Sequence, residues 1–321
     1  MKKSTTIIWS LLLAFTFLIP FTGFAQLDKK GAKQLEKERK RTPQVPAVTD
    51  NPNALLWEIS GKELEKPSYL YGTIHLISKN DFRMSELVKD RFWRTDQLTL
   101  EIDMDNMAGM LSALTKAFMD DGTTLEDLLT EAEYQELTDY FETNLGMPMS
   151  LLNRIKPIFL STMVTEQGIM GEVTSYETEF MAMAQDQSKE TLGLETVEFQ
   201  MSLFDEIPYE DQAEMLMESL QGEGDGGIES FNEMVEMYKA ENLQALHTYI
   251  TEESEDLGDF EDVLLNKRNE AWIPIMEEQM TSKPTFFAVG AGHLSGKRGV
   301  IELLKAEGYT LTPLRSVTDR P

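Results

Sequence analysis

Two apolar segments near opposite ends of the chain stop in the same way, at a Gly-x-x-His-Leu sequence. One is YLYGTIHL, residues 69–76, and the other is FFAVGAGHL, residues 286–294. Short apolar and aromatic runs predict buried β-strands, and a glycine allows a sharp turn or a close backbone approach where each strand ends. His75 and His293 are then displayed beyond their strands, where α/β sheets usually bind ligands.

His75 and His293 are two of the three histidines in this chain of 321 residues. If the two strands are neighbours, His75 and His293 meet at one edge of a sheet, and two such imidazoles form half of a metal site. The alternative is that each histidine only satisfies its own loop. The third, His247, lies in ENLQALHTYI at helical spacing and is predicted to be structural or on the surface.

A third strand candidate, QLTLEIDM at residues 97–104, carries an acid that would complete such a site. Catalytic metal sites commonly have three protein ligands and a position open to water. A carboxylate inside an apolar strand is costly unless it is paired or bound to a cation. Strand alternation places Glu101 on the same face as Asp103. The alternative is that Glu101 only marks the exposed end of the strand.

The order of these segments predicts the fold class. ALLWEISG and SYLYGTIHL predict a hairpin, and TFFAVGAGHL, a helix and the closing TLTPL end the domain. Between them, a helix is predicted from Thr124 to Gly146, helical sequence broken at Pro157 runs to about residue 189, and TLGLET predicts a short buried strand. Helical sequence then continues to about residue 280. We predict an α/β fold whose mixed sheet is built from N- and C-terminal strands, with a large helical insertion.

The first 25 residues have the layout of a secretory signal peptide. Two lysines precede an apolar run, and small residues precede a cleavage site near Ala25. The apolar run is short for a membrane span, which needs about 20 residues, and an uncleaved anchor is the alternative. Residues 26–53 are polar and predict a linker before a domain over residues 54–321. The chain is therefore expected to be exported, periplasmic or secreted, with no stable membrane span after cleavage.

Charge and cysteine content narrow the possible partners and ligands. The formal net charge is −27, and removal of the signal peptide with Lys2 and Lys3 takes it to −29. A chain this acidic repels phosphate backbones and anionic membranes, so no nucleic-acid partner is expected. There is no cysteine, which excludes disulfides and thiolate metal ligands. The usual serine hydrolase, zincin and P-loop motifs are also absent from the sequence.

The middle of the chain is rich in methionine, which suits adaptable binding surfaces and can ligate copper. One interpretation is therefore an interaction protein that uses this region. The other is flexible packing on amphipathic helices. The methionines concerned are Met104, Met107, Met110, Met163, Met170, Met181 and Met183.

Several of these segments, in this order, resemble the TraB/GumN family. They are YLYGTIHL, the strand carrying Glu101, LGLET, NKRNEAW and FFAVGAGHL, and the resemblance covers roughly residues 54–314. The family includes the Tiki proteases, which cleave Wnt ligands, and proteins implicated in shutting down bacterial pheromones. The resemblance implies a fold related to the erythromycin esterase and ChaN group, which has a haem-binding member.

The resemblance also assigns residues. The two Gly-x-x-His motifs of the family correspond to Gly72 with His75 and to Gly290 with His293, and its motif glutamate corresponds to Glu101. In the Tiki branch these motifs are associated with divalent-metal-dependent peptide cleavage. The resemblance therefore implies a metal-dependent peptidase with a peptide or protein substrate.

Two further segments match the family unequally. Arg268 and Asn269 match its Arg-Asn pair. SYETEF matches its Gly-Val-Asp segment only loosely, because Ser175 stands where glycine is usual and Glu177 where aspartate is usual. The sequence therefore leaves the roles of Glu177, Glu195 and Asn269 open.

The leading hypothesis is an exported metal-dependent hydrolase, with a peptidase as the first choice. His75 and His293 would bind a divalent cation such as Mn, Co or Zn, and Glu101 would be a ligand or the general base for a metal-bound water. Arg268 would stabilise the developing oxyanion, or it is a structural ion-pair partner. The second hypothesis is a non-catalytic protein that binds a metal, haem or a peptide through the same histidines.

Overall fold

The computed structural model describes residues 47–48, 53–168, 172–221, 226–254 and 262–315. The signal peptide predicted for residues 1–25 and most of the predicted linker lie outside the described residues. Within these ranges the chain forms short strands at both ends and in the middle. They are β1 (Ala47–Val48), β2 (Leu56–Ser60), β3 (Ser68–Thr73), β4 (Ile77–Ser78), β5 (Gln97–Ile102), β6 (Val173–Thr174), β7 (Glu190–Glu195), β8 (Thr285–Gly290) and β9 (Thr310–Arg315).

Helices fill the intervening sequence of the described ranges. The α-helices are α1 (Glu86–Trp93), α2 (Met107–Leu114), α3 (Leu125–Leu128), α4 (Glu131–Tyr140), α5 (Met149–Leu152), α6 (Pro157–Gly168), α7 (Tyr176–Asp186), α8 (Val197–Ser202), α9 (Tyr209–Gln221), α10 (Gly226–Lys239), α11 (Leu243–Ser254), α12 (Lys267–Ser282) and α13 (Val300–Ala306). Short 3₁₀ or π-helical turns occupy Thr115–Ala117, Phe141–Leu145, Leu203–Glu206, Asp262–Asn266 and Ala291–His293.

Seven strands of the described chain form one mixed sheet in the order β1-β9-β2-β3-β8-β5-β7, and β4 pairs with β6 separately. Neighbours among β1, β9, β2 and β3 are antiparallel, and β2 and β3 form the predicted hairpin. The strands β3, β8, β5 and β7 run parallel to one another. Every residue of β3, β5 and β8 is buried, as expected for strands that are covered on both faces. The predicted α/β class and the mixed sheet built from both ends of the chain are confirmed.

The prediction of one helix from Thr124 to Gly146 is wrong in the middle. Helix α3 ends at Leu128, and a second helix begins after Thr130, whose backbone is extended. The backbone N–H of Thr130 donates to Glu133 Oε2 at 2.9 Å, which makes a capping box. Gly146 has a φ of +64° and ends the last turn, as predicted. The helical insertion is also divided, because β7 passes through it to the edge of the sheet.

Replacing Thr130 with alanine is expected to lower the free energy of unfolding by about 1 kcal/mol, because the first turn of α4 loses its cap. Urea denaturation measures this. The matched control is Thr138→Ala in the same helix, where the hydroxyl only donates to the carbonyl of Tyr134 at 2.7 Å. Equal losses in both variants would show that the cap is not the cause.

Most of the methionines in the helical insertion pack against other apolar side chains. Met181 and Met183 are buried, and Met104, Met110 and Met163 pack against the two hydrophobic clusters of the described chain. Met107 is the exception, with 67% of its surface exposed. Met170 lies outside the described residues. The packing interpretation therefore accounts for most of these methionines.

An aromatic cluster packed against the sheet fixes the position of helix α7. Phe180 of α7 lies 5.0 Å from Phe286 of β8 and 5.6 Å from Tyr71 of β3, measured between ring centroids. Because aromatic pairs at these distances pack with defined geometry, α7 is held against the face formed by β3 and β8. The first turn of α7 is thereby placed beside the carboxyl end of β3. No helix in the described ranges has the length and apolar character needed to cross a bilayer.

Candidate functional site

The carboxyl ends of the four parallel strands lie at one edge of the sheet, and the predicted residues gather there. Thr73 at the end of β3 pairs with Gly290 at the end of β8. Since β3 and β8 are neighbours, His75 and His293 follow adjacent strand ends, as the two Gly-x-x-His segments predict. Glu101 comes from β5, the next strand along.

His75 is held at its Nδ1 atom by a carboxylate. Nδ1 lies 2.7 Å from Oε1 of Glu177, and both side chains are almost fully buried. The hydroxyl of Thr73 donates to the same oxygen. Burial alone would lower the pKa of His75, but the charges of Glu177 and Glu101 outweigh it and raise the pKa to about 10. His75 therefore carries a proton on both nitrogens in the metal-free protein.

His293 is held in a different way. Its Nδ1 lies 2.7 Å from Oδ1 of Asn269, and its Nε2 lies 3.2 Å from Nη1 of Arg268. A guanidinium can only donate, so Nε2 accepts and Nδ1 carries the proton. Burial lowers the pKa of His293 to about 3, with Arg268 and His75 acting in the same direction and Glu101 opposing them. The ring is neutral and packs on Trp272, with ring centroids 4.4 Å apart.

Glu101 lies between the two histidines. Its Oε1 accepts a hydrogen bond from the backbone N–H of Gly290 at 2.8 Å, and its Oε2 accepts from Arg268 Nη2 at 2.6 Å and from Gln200 Nε2 at 3.0 Å. Burial would raise its pKa, but Arg268 and the histidines hold the pKa of this carboxyl well below its usual range. The side chain is 3% exposed, so the alternative that Glu101 marks an exposed strand end is wrong.

Arg268 bridges two carboxylates. Its Nη2 donates to Glu101 and, at 2.6 Å, to Glu195 Oε1, while its Nη1 also donates to the carbonyl of Leu264 at 2.8 Å. Glu195 ends β7, and its Oε2 accepts from Trp272 Nε1 at 3.0 Å. Burial raises the pKa of Glu195 even though Arg268 opposes it. These contacts match the ion-pair interpretation of Arg268, and its Nη1 also faces His293.

The two motif glycines have different roles. A Cβ on Gly72 would lie 3.1 Å from Ala291 Cα and 3.0 Å from Leu294 Cδ2, so this glycine lets the turn after β8 pack on β3. A Cβ on Gly290 would lie 3.2 Å from His75 Nε2 and 3.3 Å from Glu101 Oε1. The missing side chain of Gly290 therefore leaves a narrow space between His75 and Glu101, slightly too tight for a carbon atom. We call it the Gly290 gap.

Sequence reasoning missed part of this site. Gln200 donates to both Glu101 and Glu195, and Glu177 holds His75. No motif marks Gln200, and Glu177 matches the Gly-Val-Asp segment of the family only loosely, in the first turn of a helix where acids are common. An acid at the end of a predicted strand, such as Glu195, was the available sequence signal. The prediction that this strand is buried is wrong, because β7 lies at the edge of the sheet and is mostly half-buried. Asp103 lies beyond β5 and takes no part in the site contacts described here.

His247, which the sequence predicts to be structural, is partly buried and packs against the loop that follows His293. A Cβ on Gly296 would lie 2.7 Å from His247 Cε1, and Gly296 has a φ of +89°. The loop therefore needs glycine at this position for both reasons. His247 is not one of the side chains gathered around Glu101.

The described part of the site holds more buried negative than positive charge. The carboxylates of Glu101, Glu177 and Glu195 are at most 6% exposed, and the permanent cation among the site side chains, Arg268, contacts Glu101 and Glu195 but not Glu177. With both histidines neutral, two negative charges stay uncompensated, and buried charge is costly unless it is compensated. A proton on His75 removes one of them. A divalent cation would remove both.

The distances between the donor atoms indicate whether they could bind one divalent cation. Glu101 Oε1 lies 3.6 Å from His75 Nε2 and 3.7 Å from His293 Nε2. Two ligands of a tetrahedral ion at about 2.1 Å are about 3.4 Å apart, so both separations are close to those of a metal site. In the described chain, however, no three such side chains already form a cluster that would hold an ion. His293 Nε2 would have to exchange its hydrogen bond with Arg268 for the ion. His75 Nε2 would also have to lose the proton that it carries in the metal-free protein. With both changes, these two separations suit a divalent cation.

This is an α/β protein with a mixed sheet. Its class is defined by the buried histidine and glutamate side chains at the carboxyl edge of the parallel strands. The TraB/PrgY/gumN family model matches residues 55–313, which include every residue of this centre. The chain belongs to the TraB/PrgY/gumN family, as its resemblance to that family predicts.

Curated relatives are distant but extend over most of the chain. Metalloprotease TIKI1 of Danio rerio is 25% identical, over 80% of this chain and 62% of its own length. Metalloprotease TIKI2 of Danio rerio is 23% identical, over 91% of this chain and 66% of its own length. A metalloprotease TIKI homolog of Amphimedon queenslandica is 22% identical, over 83% and 62%. The chain thus spans three fifths to two thirds of the length of these relatives. No solved structure matches it.

Proposed function

We propose that this protein is a metal-dependent hydrolase and that its substrate is a peptide or protein. The observation that carries the proposal is the buried charge of the site, since three carboxylates and one guanidinium leave two negative charges, of which a proton on His75 compensates only one. A divalent cation bound to the imidazoles would neutralise both. The names of the curated relatives support the same class of reaction.

The proposal gives each residue a task. His75 and His293 would hold the cation through their Nε2 atoms, with Glu101 Oε1 as the third ligand. When bound, a cation such as Mn, Co or Zn would acidify a water molecule and polarise a carbonyl group. Glu101 is better suited to the role of ligand than to that of general base, because its pKa is held well below its usual range. Arg268 keeps Glu101 in place and offers positive charge beside His293.

The Gly290 gap bears on the alternative that the histidines bind haem. A single Cβ there would already lie within 3.6 Å of His75, Glu101 and His293. A gap of this size suits one ion or one water molecule and leaves no room for a porphyrin between the two imidazoles. The geometry therefore favours the metal-dependent proposal over the haem-binding one.

Exchange of His75 or His293 for alanine is expected to abolish hydrolysis and to weaken metal binding, because each removes one of three ligands. The chain should be purified without a histidine tag, which would supply ligands of its own. Bound metal is measured by elemental analysis, and cleavage is measured on a mixed peptide library with added Mn²⁺, Co²⁺ or Zn²⁺. His247→Ala is the matched control and should keep both properties. Cleavage that survives both site substitutions would sink the proposal.

We also propose that the protein is exported and that its signal peptide is removed near Ala25. The two lysines, the short apolar run and the small residues before Ala25 support this proposal. Sequencing the N-terminus of protein recovered from outside the cytoplasm tests it. A recovered chain that still begins at Met1 would contradict it.

A further inference from the structure

The structure gives Glu177 a specific place, although the sequence leaves its role open. Its Oε1 lies 2.7 Å from His75 Nδ1, and the two side chains are 2% and 1% exposed. We propose that Glu177 is a positioning residue that fixes the ring orientation of His75 and keeps its Nδ1 protonated, so that Nε2 faces the Gly290 gap. The part of this inference that concerns metal affinity rests on the proposed function.

The carboxylate of Glu177 is itself held rigidly. Ser175 caps the start of α7, with its Oγ accepting from the N–H of Thr178 at 3.1 Å. Tyr176 donates to the carbonyl of Arg83 at 2.6 Å. Phe180, one turn later, packs against the sheet. Helix packing therefore sets the position of Glu177, and His75 takes its orientation from it.

A second hydrogen bond fixes which oxygen is used. The hydroxyl of Thr73, which is fully buried, donates to the same Oε1 that His75 contacts. Oε2 of Glu177 is buried and has no hydrogen-bond partner among the described residues. The carboxylate is thus held through one oxygen, between the end of β3 and the ring of His75.

This contact determines where the other ring nitrogen lies. With Nδ1 on Glu177, the Nε2 of His75 is 3.6 Å from Glu101 Oε1 and 3.2 Å from the position of a Cβ on Gly290. A ring turned over by 180° would place carbon atoms at the gap. The Nδ1–H contact excludes that arrangement, because carbon cannot replace the nitrogen donor to Glu177.

The two histidines are held through the same atom by different acceptors. Nδ1 of His75 contacts a carboxylate, whereas Nδ1 of His293 contacts the neutral amide oxygen of Asn269 at 2.7 Å. A carboxylate partner makes an imidazole a more basic ligand, and removing such a partner from a metal ligand typically costs about 10–100-fold in metal affinity. We therefore expect Glu177 to contribute more to metal affinity than Asn269.

The first arm of the test measures affinity for Zn²⁺ and Mn²⁺, each added alone, by titration calorimetry. Glu177→Met, which removes both oxygens at similar volume, is expected to bind about 10–100-fold more weakly than the wild type. Glu177→Gln keeps an acceptor for Nδ1–H and should lose less. Glu179→Met in the same helical turn is the matched control and should bind like the wild type.

The second arm needs no metal and no activity. The untagged chain has three histidines, so the downfield imidazole N–H protons give few NMR signals. We expect protected Nδ1–H signals from His75 and from His293. Glu177→Met should remove the signal of His75 and keep that of His293, and Asn269→Leu should do the reverse.

The outcomes separate this inference from the proposed function. If the wild type binds neither metal but Glu177→Met removes the His75 signal, the metal proposal fails and the positioning role stands. If the wild type binds metal and Glu177→Met keeps both its affinity and the His75 signal, the positioning role is overturned. A lower melting temperature with affinity and signal unchanged would also overturn it, because Glu177 would then only stabilise the fold.

Discussion

Replacing Arg268 with methionine is expected to lower the free energy of unfolding by about 3–5 kcal/mol. Arg268 is 1% exposed and donates to both Glu101 and Glu195, which are also buried. Removing one partner of a buried ion pair leaves an uncompensated charge in a low-dielectric interior, and here two carboxylates lose their shared cation. Chemical denaturation of the metal-free protein measures the loss.

Arg298 provides a closely matched control. It also bridges two carboxylates, those of Asp262 and Glu270, but its side chain is 39% exposed. Exposed ion pairs contribute about 0–1 kcal/mol, so Arg298→Met should cost no more than that. Adding Glu195→Gln to Arg268→Met should recover part of the stability, because one of the two unpaired charges is removed. Equal losses for the two arginines would contradict the buried-charge account of the site.

Replacing Gly290 with alanine is expected to lower the hydrolytic activity at least about 100-fold while the protein stays folded. The backbone of Gly290, with φ −51° and ψ 136°, suits alanine without strain. Its new Cβ would occupy the gap, 3.2 Å from His75 Nε2 and 3.3 Å from Glu101 Oε1. A displacement of about 1 Å in reacting groups can cost about 100-fold in rate. Peptide cleavage and metal titration check the effect.

The same substitution at Gly72 should have a different effect. A Cβ there meets the backbone of Ala291 at 3.1 Å, and overpacking of this kind typically costs about 1–3 kcal/mol of stability. Gly72→Ala and Gly290→Ala should both lower the free energy of unfolding, since the Cβ contacts at Gly290 are nearly as close, but only Gly290→Ala should lose hydrolysis in the folded protein. A Gly290→Ala protein that binds metal and cleaves peptides normally would show that the Gly290 gap is not the reacting centre.

Local patterns were enough to predict the elements that supply the central residues. The apolar runs before His75 and His293 are buried strands, because strand character depends on a few adjacent residues. Strand β8 ends at Gly290 as predicted, whereas β3 continues past Gly72 to Thr73. Glu101 was also found from its own strand, since a buried acid needs a partner. The helix over residues 124–146 was predicted as one element because its apolar spacing is continuous. The cap at Thr130 outweighed that spacing.

The partners of these residues could not be predicted in the same way. Glu177 lies on a helix that is distant in sequence from His75, and only the packing of Phe180 against the sheet brings its carboxylate to the ring. Arg268 was matched to a family motif, but its two carboxylate partners come from separate strands. Contacts of this kind depend on the order of strands in the sheet, which no short segment encodes by itself.

The sequence by itself determined that this chain is an α/β protein with two histidines and a glutamate placed near strand ends, because strand character is a local property. The tertiary structure alone decided which group holds each imidazole and how much negative charge is buried beside it. Parallel pairing of β3, β8, β5 and β7 brings together residues that are far apart in sequence. Their burial then makes the uncompensated charge costly, and that cost is the physical reason to expect a cation at the site.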